Sequence, residues 1–108
     1  MIEKAINAMM DKDYRALASC FSEDCTYFDY CPLLNGDSGY FIYGSDCLEM
    51  FFMPKLTFGE FTVAEPVIES EKSATFFGSY NGPYFYARFF IEEYDSAGLI
   101  KKAVIHPA

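Results

Sequence analysis

Asp29 is the carboxylate of this sequence that is best placed to do chemistry. It lies among aromatic residues in the run Tyr27, Phe28, Asp29, Tyr30. A carboxylate that aromatic rings shield from water has a raised pKa, which suits it to act as a general base or to orient a ligand. The alternative is a structural role, in which the side chain caps a backbone turn at the end of a strand.

Arg88 is the cation most suited to work with such a carboxylate. It lies in the aromatic segment Tyr84–Tyr94, which predicts a strand whose side chains alternate between two faces. A lone arginine in an aromatic cavity would bind an anionic group of a ligand or neutralise Asp29. The alternative is a surface arginine that packs over aromatic rings.

Aromatic residues supply the other candidates for a binding site, because phenols donate hydrogen bonds and rings line cavities. The predicted ligand-contacting residues are Tyr14, Tyr27, Phe51, Phe76, Tyr80, Tyr86 and Phe90. With 9 Tyr in the chain, most are expected to pack in the core or at an interface instead. His106, the single histidine, lies on the last predicted strand, where alternation points it away from the pocket.

The four cysteines are expected to be reduced thiols that pack as small apolar groups. Their positions match neither the paired spacing of zinc sites nor the framework of a small secreted domain: Cys20, Cys25, Cys31 and Cys47. We therefore expect no metal and no cofactor. A reactive thiol or an adventitious disulfide among the first three stays open.

Composition limits the classes of function. A chain of 108 residues has room for one domain, residues 1–108, and 52% of the residues are hydrophobic. The net charge of −8 repels both nucleic acid and anionic lipid. No apolar run is long enough to span a bilayer, and the N-terminus lacks the features of a secretory signal, so we expect a cytoplasmic protein without membrane contacts.

The periodicity of apolar residues changes from helical to alternating along the chain. The predicted elements of the first half are a helix over 2–10, a short helix over 14–21 ended by residues 22–24, a strand over 25–30, a lid-like loop over 31–44 and a helix over 46–53 stopped by Pro54. Those of the second half are strands over 57–68, 73–80, 84–94 and 99–105. The short turns between these four strands predict an antiparallel meander.

This order of elements resembles the nuclear-transport-factor-2-like superfamily, which includes ketosteroid isomerases, limonene-epoxide hydrolases and SnoaL-type polyketide cyclases. Three local motifs carry the resemblance: FSEDCTYFDY at a helix exit, Tyr43-Gly44-Ser45 before the third helix, and EYDSAGLIKKAVIH in the last hairpin. The resemblance implies an α+β fold with N-terminal helices packed in the concave face of a strongly curved antiparallel sheet.

The same resemblance places Asp29 where ketosteroid isomerases keep an Asp general base. Their two oxyanion donors would fall at Ala5 and Phe90, which cannot donate, so a steroid isomerase is not predicted. The Asp-Arg-Asp set of limonene-epoxide hydrolases is not evident either, although Arg88 is one candidate member.

The resemblance also implies which side chains of the strand over 84–94 face inward, namely Tyr84, Tyr86, Arg88, Phe90 and Glu92. Asp29 and Arg88 would then share the concave side of the fold. The other set, with Phe89, Ile91 and the neighbouring Phe77, would form an apolar outer face. A homodimer is expected to cover that face.

Two functions remain open. The first is a SnoaL-like pocket protein, an enzyme or a binding module, in which Asp29 acts on or orients a small, largely apolar ligand. The second is a protein-interaction or dimerisation domain whose cone is filled by its own aromatic side chains. A cavity of about 300 Å³ or more beside Asp29 would favour the first hypothesis, and a filled cone would favour the second.

Overall fold

The computed structural model describes residues 1–108, which form three α-helices, one short 3-10 helix and six strands. The helices are α1 Ile2–Met10, α2 Tyr14–Ser19 and α3 Ser45–Thr57, and the 3-10 helix is Cys31–Asn35. The strands are β1 Phe21–Asp29, β2 Tyr40–Tyr43, β3 Thr62–Ile68, β4 Ser73–Ser79, β5 Tyr84–Tyr94 and β6 Ile100–Pro107.

All six strands belong to one sheet in the order β2-β1-β6-β5-β4-β3. The last four strands form the predicted antiparallel meander, and β2 pairs antiparallel with β1 at the opposite edge. The pairing of β1 with β6 is parallel. The predicted α+β architecture, with helices packed on one face of a curved sheet, is confirmed, with this single parallel pair added.

The hydrophobic core lies between the inner face of the sheet and the helices. Tyr27 of β1 is at its centre, where its ring packs edge-on against Phe52 of α3, with 5.4 Å between ring centroids, and lies 6.3 Å from Phe89 of β5. The apolar side chains of α1 at Ile2, Ala5, Ile6 and Met9, spaced for one helical face, are buried against the same core. The aromatic side chains thus join helices and sheet.

Helix α2 is shorter than predicted and β1 is longer. Asp13 caps α2 by accepting a hydrogen bond from the Ala16 amide at 3.0 Å, and the helix ends at Ser19. The Cys20 carbonyl then accepts a hydrogen bond from Ile100, which draws Phe21 into the sheet. Phe21 fits both a helical stripe and the inner side of a strand, so its apolar character alone did not distinguish the two.

The segment predicted as a loop over 31–44 contains the 3-10 helix and the edge strand β2. Gly44 then leads into α3 with φ of +89°, a conformation that favours glycine. Helix α3 continues through Pro54 to Thr57, four residues beyond its predicted last residue, Met53. Proline removes the amide that would bond to the Met50 carbonyl, but Met50 is 71% exposed, so water can solvate that carbonyl.

Strand β3 lies at the other edge of the sheet and contains a bulge. Ala64 pairs with Phe77 and Val67 with Thr75, so Glu65 and Pro66 together face one residue of β4. Glu65 has φ of +51°, which is uncommon for a residue with a side chain. Among the helices, none has both the length and the apolarity that crossing a membrane requires.

Candidate functional site

Asp29 ends β1 with its carboxylate turned to the inner face of the sheet, and only 1% of the residue is exposed. Its Oδ1 accepts a hydrogen bond from the Cys31 amide at 2.9 Å, which caps the start of the 3-10 helix. Its Oδ2 accepts a hydrogen bond from the Tyr80 hydroxyl at 2.5 Å. Asp29 therefore caps a backbone turn, which is the structural role named as the alternative, and it also contacts Tyr80, which is distant in the sequence.

Burial raises the pKa of Asp29 from 3.8 to about 6, although the hydrogen bonds from Tyr80 and Cys31 act in the opposite direction. The carboxyl group is thus mostly ionised at neutral pH and becomes protonated in weak acid. This range suits a group that accepts and returns protons near neutrality.

Tyr80 follows β4 and lies between Asp29 and solvent. Its half-buried ring packs with centroid distances of 5.1 Å to Phe61, 6.0 Å to Tyr40 and 6.3 Å to Phe85. Burial, and then the charge of Asp29, raise the pKa of Tyr80, so its hydroxyl stays protonated and donates. Three aromatic rings and one carboxylate therefore hold this phenol in place.

Tyr27 contributes a hydroxyl that has no hydrogen-bond partner, although its oxygen is fully buried. It is the single buried side-chain oxygen or nitrogen of the chain in this condition. Burial, followed by the charge of nearby Asp29, raises the pKa of Tyr27 well above its ordinary value. A protonated donor without an acceptor therefore lies close to the carboxylate.

Two neighbours complete the surroundings of Asp29. Tyr40 of β2 is its partner in the β1–β2 register, so both side chains face the same way. Cys31 is buried, and burial followed by the Asp29 charge raises the pKa of its thiol to about 12, so it is an unreactive thiol. The polar groups gathered inside the fold are Tyr27, Asp29, Cys31, Tyr40 and Tyr80.

The mouth of the cone is closed by side chains. Phe51 packs against Tyr40 with ring centroids 4.8 Å apart. The Lys55 ammonium lies 5.3 Å from the Tyr40 ring centroid and 5.5 Å from that of Phe51, and its Nζ is 3.7 Å from a Glu60 oxygen. The cation at the mouth thus already has an acidic partner.

No cavity opens beside Asp29 in this closed form. The one cavity found, about 500 Å³, is a surface groove lined by residues of α1, α2 and the turn between them, Lys4, Asn7, Asp11 and Asp13 among them. Phe52, Phe61 and Tyr80 fill the interior of the cone instead. On the volume criterion, the closed form favours the interaction hypothesis, and binding at Asp29 requires a side chain to move.

The prediction that Asp29 and Arg88 share the concave side was wrong. Arg88 lies on the outer face, where its Nε and Nη2 bond to the two carboxylate oxygens of Glu69 at 3.0 and 3.2 Å. Tyr86 and Phe90 are exposed on the same face, so neither lies near Asp29. The inner side chains of β5 are instead Ala87, Phe89 and Ile91, which are fully buried against the core.

The other predicted site residues have different positions. Tyr80 and Tyr27 lie beside Asp29, and Phe51 lies at the mouth. Phe76 is fully buried behind Phe61, 6.5 Å away between ring centroids. Tyr14 is half-buried at the start of α2 and makes no hydrogen bond at Asp29.

Sequence reasoning missed three members of the site: Tyr40, Phe61 and Phe85. A signal for Tyr40 was present, because residues 40–43 are a run of aromatic and β-branched residues, which favour strands. The positions of Phe61 and Phe85 depend on how β3, β4 and β5 pair, which local spacing does not reveal. His106 is half-exposed and, as predicted, lies away from the pocket, opposite Arg88 in the β5–β6 register.

Comparison with solved structures identifies the fold. The chain is similar to a SnoaL-like protein of unknown function from Burkholderia thailandensis, with a TM-score of 0.71, 14% identity, and 99% of this chain and 91% of that chain covered. It is also similar to an NTF2-like protein of unknown function from Cytophaga hutchinsonii, with a TM-score of 0.65, 13% identity, and 99% and 86% covered. A protein with a cystatin-like fold from Methylobium petroleophilum gives a TM-score of 0.64 at 17% identity, with 99% and 72% covered.

The predicted resemblance is therefore confirmed at the level of fold: the chain has the nuclear-transport-factor-2-like fold, in the form also seen in SnoaL-like proteins. No protein-family model matches the sequence, and no curated protein does.

Proposed function

We propose that this chain binds, and is equipped to convert, a small and largely apolar molecule at Asp29, inside the cone. The observation that carries the proposal is the unpartnered hydroxyl of Tyr27 beside a buried carboxylate. A buried hydroxyl without a partner costs about 1–3 kcal/mol, and this one can donate to a ligand. Titratable groups with shifted pKa values, clustered inside a fold, are typical of functional sites.

Asp29 would accept a hydrogen bond or a proton from the ligand, because its pKa of about 6 leaves it mostly ionised at neutral pH. Tyr27 would donate to an oxygen of the same molecule. The rings of Phe51, Phe61 and Phe85 would supply apolar contacts. Arg88 has no part in this site, since it lies on the outer face and bonds to Glu69.

Binding requires the mouth to open, and the side chains that close it are suited to this. Tyr40, Phe51 and Tyr80 are only half-buried, so each can rotate toward solvent without unfolding the sheet behind it. The proposal therefore requires these three side chains to move when a ligand binds.

Titration with neutral one-ring and two-ring aromatic compounds, followed by NMR on isotope-labelled protein, tests the proposal. We expect saturable shifts of the Tyr27, Asp29 and Cys31 amide signals, and weaker binding by Asp29→Asn. Tyr86→Phe, on the outer face, is the matched control and should bind as the wild type does. Shifts confined to the outer face, or no saturable shift at all, would contradict the proposal.

A second candidate function, assembly through the outer face of the sheet, is supported by the residues on that face. Phe41, Phe28, Val104 and Phe90 are successive register partners across β2, β1, β6 and β5. The rings of Phe77 and Tyr86 add a second exposed cluster, 5.0 Å apart between centroids. Exposed apolar surface of this extent is typical of a contact between protein chains.

A homodimer is the partner we propose for this face. The residues that would form it differ from those expected from the sequence, because Phe89 and Ile91 belong to the core. Phe77 is the one member of the predicted outer strip that is exposed.

A further inference from the structure

We infer that Tyr80 occupies the ligand's place in the closed form, and that the natural ligand is a small phenol or aromatic alcohol that takes over its hydrogen bond to Asp29. This inference rests on the proposed function, a binding site at Asp29, and adds the chemical class of the ligand. Tyr80 then acts as an internal competitor.

The position of the Tyr80 ring is the first support. Its hydroxyl donates to Asp29 Oδ2, and its ring lies among the rings of Phe61, Tyr40 and Phe85. The three rings surround the Tyr80 ring, and the carboxylate lies at its hydroxyl end. This cage fits a flat ring that carries a hydroxyl group. A side chain of this chain already demonstrates the fit.

Charge and hydrogen bonding narrow the class of ligand. An anionic ligand would meet the Asp29 carboxylate with no free cation nearby, because Arg88 pairs with Glu69 on the outer face and Lys55 with Glu60. An ammonium group could donate to Asp29 but could not accept from Tyr27. A hydroxyl does both, donating to the carboxylate and accepting from the unpartnered Tyr27 hydroxyl.

The Tyr27 hydroxyl also explains how a ligand would displace Tyr80. In the closed form Tyr27 has no acceptor, so the Tyr80 oxygen does not serve as one. A free phenol, not attached to the backbone, can sit deeper and make both hydrogen bonds. Tyr80 follows the last residue of β4, so its rotation leaves the strand ladder intact.

The test compares p-cresol, the side chain of tyrosine as a free molecule, with toluene, which lacks the hydroxyl. Binding is measured by calorimetry on wild type, Tyr80→Ala and Tyr80→Phe. Because the internal competitor lowers the fraction of binding-competent protein, we expect p-cresol to bind Tyr80→Ala at least about tenfold more tightly than wild type. Toluene should bind the same variant about tenfold more weakly than p-cresol.

Two further variants keep the test informative. Tyr80→Phe fills the cage but lacks the hydrogen bond to Asp29, so it should bind p-cresol more tightly than wild type even if Tyr80→Ala fails to fold. Adding Tyr27→Phe to either variant should reduce the preference for p-cresol over toluene in part, because it removes the donor to the phenol oxygen and leaves the Asp29 acceptor in place. Equal binding of the two compounds, or no gain in either variant, would overturn the inference.

The outcomes of this test distinguish a failure of the phenol assignment from a failure of the proposed binding site at Asp29. If toluene binds at Asp29 as tightly as p-cresol, the proposed site stands and the phenol assignment is wrong. If none of the neutral aromatic compounds binds at Asp29 in wild type or in either Tyr80 variant, the proposed site and the phenol assignment are both wrong.

Discussion

At the scale of single residues, Asp29 serves two partners with two oxygens. Oδ1 accepts from the Cys31 amide at the start of the 3-10 helix, and Oδ2 accepts from the Tyr80 hydroxyl inside the cone. Asparagine can retain the first contact through its amide oxygen, so Asp29→Asn removes the charge while it spares the turn. The charge can therefore be tested separately from the cap.

The pH dependence of stability should report the buried charge of Asp29. Its pKa is raised on folding from 3.8 to about 6, so its contribution favours the folded state below pH 3.8 and is lost as pH rises through 6. This shift corresponds to at most about 3 kcal/mol of unfolding free energy. We expect Asp29→Asn to match wild type in urea unfolding at pH 3.5 and to exceed it in stability at pH 7.5.

Comparison of the two proteins isolates Asp29, because every other carboxylate is present in both. A stability difference that stays constant between these pH values would show that the carboxyl group is not shifted.

Tyr27→Phe should stabilise the protein. It deletes a buried hydroxyl that has no partner, so the free energy of unfolding should rise by about 1 kcal/mol. Tyr94→Phe is the matched control, since the Tyr94 hydroxyl donates to the Glu71 carbonyl and its loss should lower stability. Thermal unfolding measures both. Destabilisation by Tyr27→Phe would mean that its hydroxyl has an acceptor in solution.

Residue identity predicted the burial of Asp29 but misplaced Arg88. The aromatic neighbours of Asp29 correctly indicated a desolvated carboxylate. In β5 both alternating sets contain aromatic residues, and tyrosine and phenylalanine occur on faces of either kind. The more decisive signal was in the middle of the strand, where one set holds Ala87 and Ile91 and the other holds Arg88. The set with Arg88 is the less suited to face the core, because an unpaired arginine is costly to bury.

At the scale of elements, local sequence patterns predicted where strands and helices lie better than they predicted which strands pair. The bounds of β5 were predicted as observed, Tyr84–Tyr94, and α1 likewise. The parallel pairing of β1 with β6 was not predicted, because it joins residues far apart in the sequence. Strand β2 was not predicted either, because its four residues are held by their pairing with β1. Helix α3 continues past Pro54 because the carbonyl that the proline leaves without a partner, that of Met50, is at an exposed position.

Pro54→Ala tests that explanation. The variant restores an amide that can bond to the Met50 carbonyl and removes the ring from the helix interior, so we expect a gain of about 1–2 kcal/mol in unfolding free energy. Met53→Ala, at the neighbouring exposed position, should change stability little. Chemical denaturation measures both variants. A loss of stability in Pro54→Ala would show that the proline ring makes packing contacts that outweigh the missing bond.

At the scale of the whole molecule, the proposed homodimer should be sensitive to charge on the outer face of the sheet. Phe77→Glu places a carboxylate in the exposed cluster with Tyr86 and should convert a dimer to a monomer in sedimentation velocity runs at micromolar concentration. Met10→Glu, at an exposed position of α1, is the control and should leave the dimer intact. A wild-type monomer at that concentration would contradict the proposal.

The bulge in β3 determines how copies of this chain can meet. A regular edge strand offers a continuous row of amides and carbonyls on which a strand of another copy can grow, which is how fibres begin. Glu65, in a left-handed conformation, and Pro66, without an amide, interrupt that row midway along the strand. The β3 edge is therefore a poor template for a long neighbouring strand. The homodimer proposed above uses the face of the sheet instead, where a two-fold contact between two copies would be closed and self-limiting.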